Sequence, residues 1–173
     1  FKTLIMKKIL LSLFVLGLTS QGFSQITKVE ELSEVVVSAV NYKYLNATTN
    51  EEVALPVKML ERKAAAYNIK ESELYSDEYD YYTVSFFIPD GRIVAVYNAD
   101  GQIIRTVEKF KNVKLPDAVN KSVMDRFPKW TVESDVYLVS YVDDKGSKKT
   151  YKLKLKNGDE RMRVKVDETG TFL

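Results

Sequence analysis

The sequence predicts an α+β fold, built as a tandem repeat of one helix plus an antiparallel meander of three to four strands, with the helices on one face of the sheet. Three observations carry this expectation. Leu55-Pro56 opens a stretch of helical spacing that runs to Tyr67, and 60 residues on Leu115-Pro116 opens another that runs to Phe127. Two turn dipeptides follow each helix, Asp90-Gly91 and Asp100-Gly101 in the first copy, Lys145-Gly146 and Asn157-Gly158 in the second. Matching turns lie 55 and 57 residues apart, so the copies share a layout and differ only in loop length. Self-similarity at a fixed spacing sets architecture before any residue chemistry is considered.

The chain divides into 1–24, a signal peptide; 25–54, an N-terminal segment with a strand; 55–112, the first repeat; and 113–173, the second. From Met6, the expected native start, Lys7-Lys8 precede the apolar run Ile9–Leu18 and the small residues of a cleavage site. Cleavage is expected between Ser24 and Gln25, giving a periplasmic or secreted product without stable membrane insertion. The apolar run falls short of the roughly 20 residues that span a bilayer. Removing the leader takes away Lys2, Lys7 and Lys8, leaving 23 basic against 24 acidic residues. Global charge therefore argues for neither nucleic acid nor membrane as partner.

In the N-terminal segment, Glu30-Glu31-Leu32-Ser33-Glu34 could begin a helix. Val35-Val36-Val37 and the alternation of Val40, Tyr42 and Tyr44 favour a strand covering a sheet edge. Leu32–Ala39 also resembles the box by which outer-membrane receptors engage an energy-transducing partner. Those receptors need a plug and a large barrel, for which this chain has no room.

Each helix is expected to place proline at its first position. Val119, Val123 and Phe127, with Met124 alongside, form the apolar face of the second; Met59, Leu60, Ala64 and Tyr67 serve the first. Pro128 ends the second helix, and Trp130 reads as a core plug at the helix–sheet junction. Tyr82, Val84, Phe86 and Ile88 alternate with Tyr81, Thr83, Ser85 and Phe87, which marks a strand. Ile93–Tyr97, Ile103–Val107, Val136–Val142, Tyr151–Leu155 and Met162–Val166 are the others, joined by glycine turns.

The chain has no histidine and no cysteine. That removes histidine triads, histidine acid–base catalysis, the usual zinc sites and disulfides. Asn98-Ala99-Asp100-Gly101 has the flavour of a calcium loop, but the twelfth position is Lys109, so it reads as a hairpin turn. No glycine motif cradles a phosphate. No cofactor and no metal site is expected.

The free sheet face is where the residues point to function. Lys152 and Lys154 on one strand and Arg161, Arg163 and Lys165 on the next alternate with apolar residues, so five cations should line one face. Asp144–Lys165 holds nine basic and three acidic residues. Glu71, Glu73, Asp77, Glu78 and Asp80 form an opposing acidic cluster. Two readings stand: a solvated face carrying solubility charges, or a patterned surface that steers a protein partner. Tyr79, Tyr81 and Tyr97, with Tyr137 and Tyr141 nearby, would supply interface aromatics to that face.

Leu115-Pro116, Phe127-Pro128-Lys129-Trp130, Asn157-Gly158-Asp159 and Asp167-Glu168-Thr169-Gly170 together resemble the PepSY-like, β-lactamase-inhibitor-like exported proteins of bacteria. The resemblance covers residues 53–173. It implies tandem helix-plus-sheet repeats and a non-enzymatic, inhibitor-like binding module that docks another secreted or envelope protein on its sheet face. It transfers no contact residue. Similar small exported chains carry the name nicotinate-nucleotide adenylyltransferase, which implies a Rossmann-type fold with a histidine-containing phosphate motif. With no histidine, no glycine-rich first turn and no parallel βαβ pattern, that enzyme is the disfavoured alternative. Any enzyme here would run on carboxylates, lysines or tyrosines, with Asp77 and Asp80 as the paired acids. A structural envelope or matrix protein is the third reading.

Overall fold

Period-2 alternation sets six strands from Tyr81 onward, and the computed structural model, which describes residues 41–173, pairs them in one sheet. The expected leader and its cleavage site, and the Leu32–Ala39 segment, lie outside the described residues. The strands are β1 (Tyr81–Ile88), β2 (Gly91–Asn98), β3 (Ile103–Lys111), β4 (Thr131–Val142), β5 (Gly146–Asn157) and β6 (Glu160–Asp167). Their spatial order follows the chain, and every pair is antiparallel. Three helices, α1 (Tyr42–Thr48), α2 (Leu55–Ala66) and α3 (Asp117–Arg126), complete an α+β fold. The element order thus runs α2–β1–β2–β3 and then α3–β4–β5–β6. The two meanders are not separate sheets, because β3 pairs with β4 from Arg105 opposite Val142 to Lys111 opposite Val136.

The strand expected at Val40, Tyr42 and Tyr44 is corrected: residues 42–48 form α1. Tyr44 and Thr48, one helical turn apart, are its buried residues, while Tyr42 is exposed. Tertiary burial at a spacing of four overrides the period-2 pattern of the tyrosines. Asn41, the buried residue before α1, ties the start of the helix to its neighbours. Its amide donates to the carbonyls of Ala65 and Gly101, and its Oδ1 accepts from the Ile103 amide.

α2 buries Val57, Leu60, Glu61, Ala64 and Ala65. Met59, expected inside, is exposed, because the buried face runs from Val57 at spacings of three and four. Alanines at 64 and 65 let the helix approach the sheet closely, and the Tyr97 hydroxyl donates to the Ala64 carbonyl at 2.7 Å. In α2 proline lies one step later than expected, since Leu55 is the first helical residue and Pro56 the second. In α3 the proline sits one step earlier, since Pro116 is the N-cap. α3 buries Val119 and Val123, whereas Met124 is exposed. Tyr67 and Phe127 both follow their helices directly and are half-buried rather than central to the core. Phe127 meets Phe172 edge-to-face at 5.7 Å, and Trp130 is half-buried against the core.

Register shows which side chains share a face. Phe86, Ile93, Glu108, Val139 and Lys149 lie in one cross-strand row, as do Phe110, Tyr137, Tyr151 and Val166 in another, and all are buried. α1 contacts β4 and β5 and α2 contacts β1 and β2; Tyr44 and Ala64 bond to side chains of this buried set. Tyr137 and Tyr151 stack at 4.5 Å between centroids in the middle of it.

Beyond β6 the chain turns at Gly170, whose φ of 89° lies in the left-handed region. A Cβ there would meet the Ala118 carbonyl oxygen of α3 at 2.7 Å, and the Ser122 hydroxyl already donates to the Gly170 carbonyl. The turn therefore seats α3 through bare backbone. Gly170→Ala should destabilise the protein by about 1–3 kcal/mol from backbone strain alone, with more from the clash. Urea denaturation of the variant checks this, and an unchanged midpoint would contradict the close seating of α3.

Candidate basic sheet face

Alternation puts the remaining strand residues on the side opposite the buried rows, and there the cations collect. β5 places Lys148, Lys152, Lys154 and Lys156 on this side, and β6 adds Arg161, Arg163 and Lys165. Lys152 stands directly opposite Lys165, and Lys154 opposite Arg163. The five cations expected to share a face are thus brought together. Because β3 pairs with β4, the face also takes in Arg92, Arg105, Lys109 and Lys111 from the first half of the chain; Lys111, Val136, Lys152 and Lys165 form one row. Val94, Val96, Val107, Val136 and Leu138 occupy the middle of the same face.

Lys152, Lys154, Arg163 and Lys165 surround a shallow depression of about 360 Å³ floored by Val136 and the β4–β6 backbone. Glu133, at the β-bulge of β4, is the acid that sequence reading missed. Its carboxylate takes Lys154 Nζ at 2.6 Å and Arg161 Nε at 3.2 Å. The Lys154 ammonium, and then the Arg161 guanidinium, hold the Glu133 carboxyl below its usual range. Lys152, Arg163 and Lys165 have no ion-pair partner among the described residues.

The tyrosines divide. Tyr97 is corrected: it is fully buried on the opposite side of the sheet, where burial pushes its hydroxyl pKa far up. Tyr137 and Tyr141 are buried there too. Tyr81 is exposed and has the parity of the basic face, and Tyr79 is exposed in the preceding loop. Both lie at the β1 edge, four strand spacings or roughly 20 Å from β5. They do not join the cation cluster. In the chain they are flanked instead by the exposed Asp77, Glu78 and Asp80, with Glu71 and Glu73 exposed further back, and Tyr79 packs edge-on against Tyr82 at 6.4 Å.

A second concavity, a cleft of about 820 Å³, opens beside the start of α2 and is walled by Val53, Leu55, Met59, Ile88, Phe110 and Val113. Its charges balance, with Glu51, Glu52 and Asp90 against Lys58, Lys111 and Lys114. Among the described residues no group of three or more His, Cys, Asp or Glu could hold a metal ion, and no helix is long and apolar enough to cross a membrane. No known protein family, no characterised protein and no solved structure matches the chain.

Exposed ion pairs contribute little to stability, roughly 0–1 kcal/mol each. Glu133→Gln should therefore change unfolding free energy by less than about 1 kcal/mol, while freeing Lys154 and Arg161. Urea melts measure the first effect, and stronger retention on a sulfonate cation-exchange resin measures the second. A large loss of stability would make Glu133 a structural brace.

Proposed function

We propose that this chain is an exported, non-enzymatic binding module that docks an acidic surface of another secreted or envelope protein on its basic sheet face. The observation that carries the reading is the continuity of that face: cations from β2, β3, β5 and β6 surround the apolar side chains of β2–β4. An apolar centre inside a charged rim suits a protein surface better than a flexible polyanion. Like charges placed opposite each other work against the sheet, and complementary charge on a partner would relieve them.

The resemblance to PepSY-like, β-lactamase-inhibitor-like proteins supports the same reading, since that layout implies repeated helix-plus-sheet units with helices on one face and docking on the other. The signal-like leader supports export before docking. A catalyst built on Asp77 and Asp80 is the poorer reading, because both carboxylates stand exposed in the loop before β1.

The test is affinity capture from secreted and envelope protein fractions, run in parallel with wild type and with Lys152→Glu/Arg163→Glu/Lys165→Glu. Wild type should retain an acidic protein that elutes as salt rises. The charge-reversed face should bind it at least about tenfold more weakly, mostly through slower association. Retention by both forms, or no saturable binding to wild type, overturns the proposal.

A further inference from the structure

The strap from Asn41 to Thr49, containing α1, is held on the sheet by two carboxyl groups with no role in the basic face. Glu108 of β3 lies in the buried row between Ile93 and Val139, and Glu61 projects from the buried side of α2; both have zero exposure. Glu108 Oε1 accepts from the Tyr44 hydroxyl of α1 at 2.9 Å and from the Thr106 hydroxyl at 2.7 Å. Glu61 Oε2 accepts from the hydroxyl of Thr49, the residue that ends α1. Asn41 anchors the start of the strap and Ser147 bonds the Ala47 carbonyl, while Tyr44 and Thr49 hold one oxygen of each carboxyl group.

The other two oxygens decide the chemistry. Glu61 Oε1 and Glu108 Oε2 are buried, and neither has a donor. The two side chains lie within hydrogen-bonding reach of each other. A contact between two carboxylates offers two acceptors and no donor, and its repulsion grows in a medium of low dielectric constant. One proton placed between them converts both orphaned acceptors into a satisfied pair, the arrangement adopted when two carboxyls share a dry site.

We propose that Glu61 and Glu108 share one proton between Oε1 and Oε2, and that this bridge is a latch whose loss in mild alkali releases α1 from the sheet. The step is a simple acid dissociation. The O–H bond breaks, the proton passes to solvent, and the pair goes from one negative charge to two.

The groups facing the pair from every neighbouring element are few. α1 contributes Tyr44, with Tyr97 of β2 and Tyr141 of β4 beside it, β4 contributes Tyr137, and β5 contributes Lys149. All these tyrosine hydroxyls are pushed up, chiefly by burial, so they stay protonated across the relevant range. Lys149 favours charge on Glu61, but its ammonium is committed to Glu168 at 3.0 Å. On the outer side of the strap, Lys43 pairs with Asp143 at 3.0 Å.

Burial is the first cause raising both carboxyls, with the charge of Glu61 the second cause for Glu108, so the pair keeps its shared proton up to about 7 to 8. Raised folded values fix the sign. The folded state holds more protons than the unfolded one above the ordinary value of 4.5, so this stabilisation is full below that pH and is lost as pH rises through about 7 to 8.

Hydrogen–deuterium exchange of the full mature chain at pH 6, 7.5 and 9 tests the latch. After correction for intrinsic exchange, protection of Tyr42–Thr48 should fall at least about tenfold between pH 6 and 9, as one pH unit beyond the folded titration implies. β4 and β5 should stay protected. Glu108→Gln should flatten this dependence, because its amide donates to Glu61 Oε1 permanently while its carbonyl still accepts from Tyr44. If that variant does not fold, infrared spectroscopy of wild type supplies the second measurement: a protonated-carboxyl band should be present at pH 6 and lost by pH 9. Constant protection of α1, the same pH slope in Glu108→Gln, or no protonated-carboxyl band overturns the proposal. So does restoration of protection at pH 9 by calcium, which would make the pair a cation site.

Discussion

Both polar features of this protein exist because Arg105–Lys111 of β3 lies against Val136–Val142 of β4. That pairing turns two three-stranded meanders into one sheet. On one side it aligns Glu108 with Val139 and, through β5, with Lys149. On the other it aligns Lys111 with Val136 and Lys152. A slip of one residue would exchange the two faces, sending Lys109 and Lys111 into the core and Phe110 into solvent. The apolar rows are what forbid the slip. Phe110 is buried against Tyr137, and Tyr137 stacks on Tyr151.

The strands were legible because their turns are marked by glycine and their alternation is strong in β5 and β6. Tyr151, Leu153 and Leu155 against Lys152, Lys154 and Lys156 leave no doubt about parity. β2 is different. Ile93, Ala95 and Tyr97 alternate with Val94 and Val96, so both faces read as apolar and the pattern cannot say which side Tyr97 takes. The same ambiguity hid Tyr137 and Tyr141, which alternate with Val136, Leu138 and Val142. α1 was misread because two tyrosines at spacing two mimic a strand, whereas the burial that decides the structure comes from Tyr44 and Thr48.

The buried carboxyls left a fainter trace. In β3, Thr106, Glu108 and Phe110 share one parity, and Val107, Lys109 and Lys111 the other. A glutamate on the parity of Phe110 is a signal that the acid goes inward, but only after the face of Phe110 is known. Glu61 is equally masked, lying one position past Leu60 in a helix whose buried face is broad. Neither spacing nor composition could bring Glu61 and Glu108 together, because their contact depends on how α2 lies over the sheet.

Repulsion on the basic face is small beside what the opposite face buries. Lys152 opposite Lys165 and Lys154 opposite Arg163 each cost a few tenths of a kcal/mol, and Glu133 offsets part of it for Lys154. On the other side of the same two strands, Tyr151, Leu153, Leu155 and Val166 are buried. Each contributes roughly 1.5–3 kcal/mol by leaving water. The sheet can therefore carry unpaired cations without endangering its fold. Its inner face has the opposite character. There a second negative charge on the fully buried Glu61 and Glu108 would cost several kcal/mol, which falls on the hydrogen bonds that hold α1. The same strands thus tolerate charge freely on the solvent side and strictly limit it on the buried one.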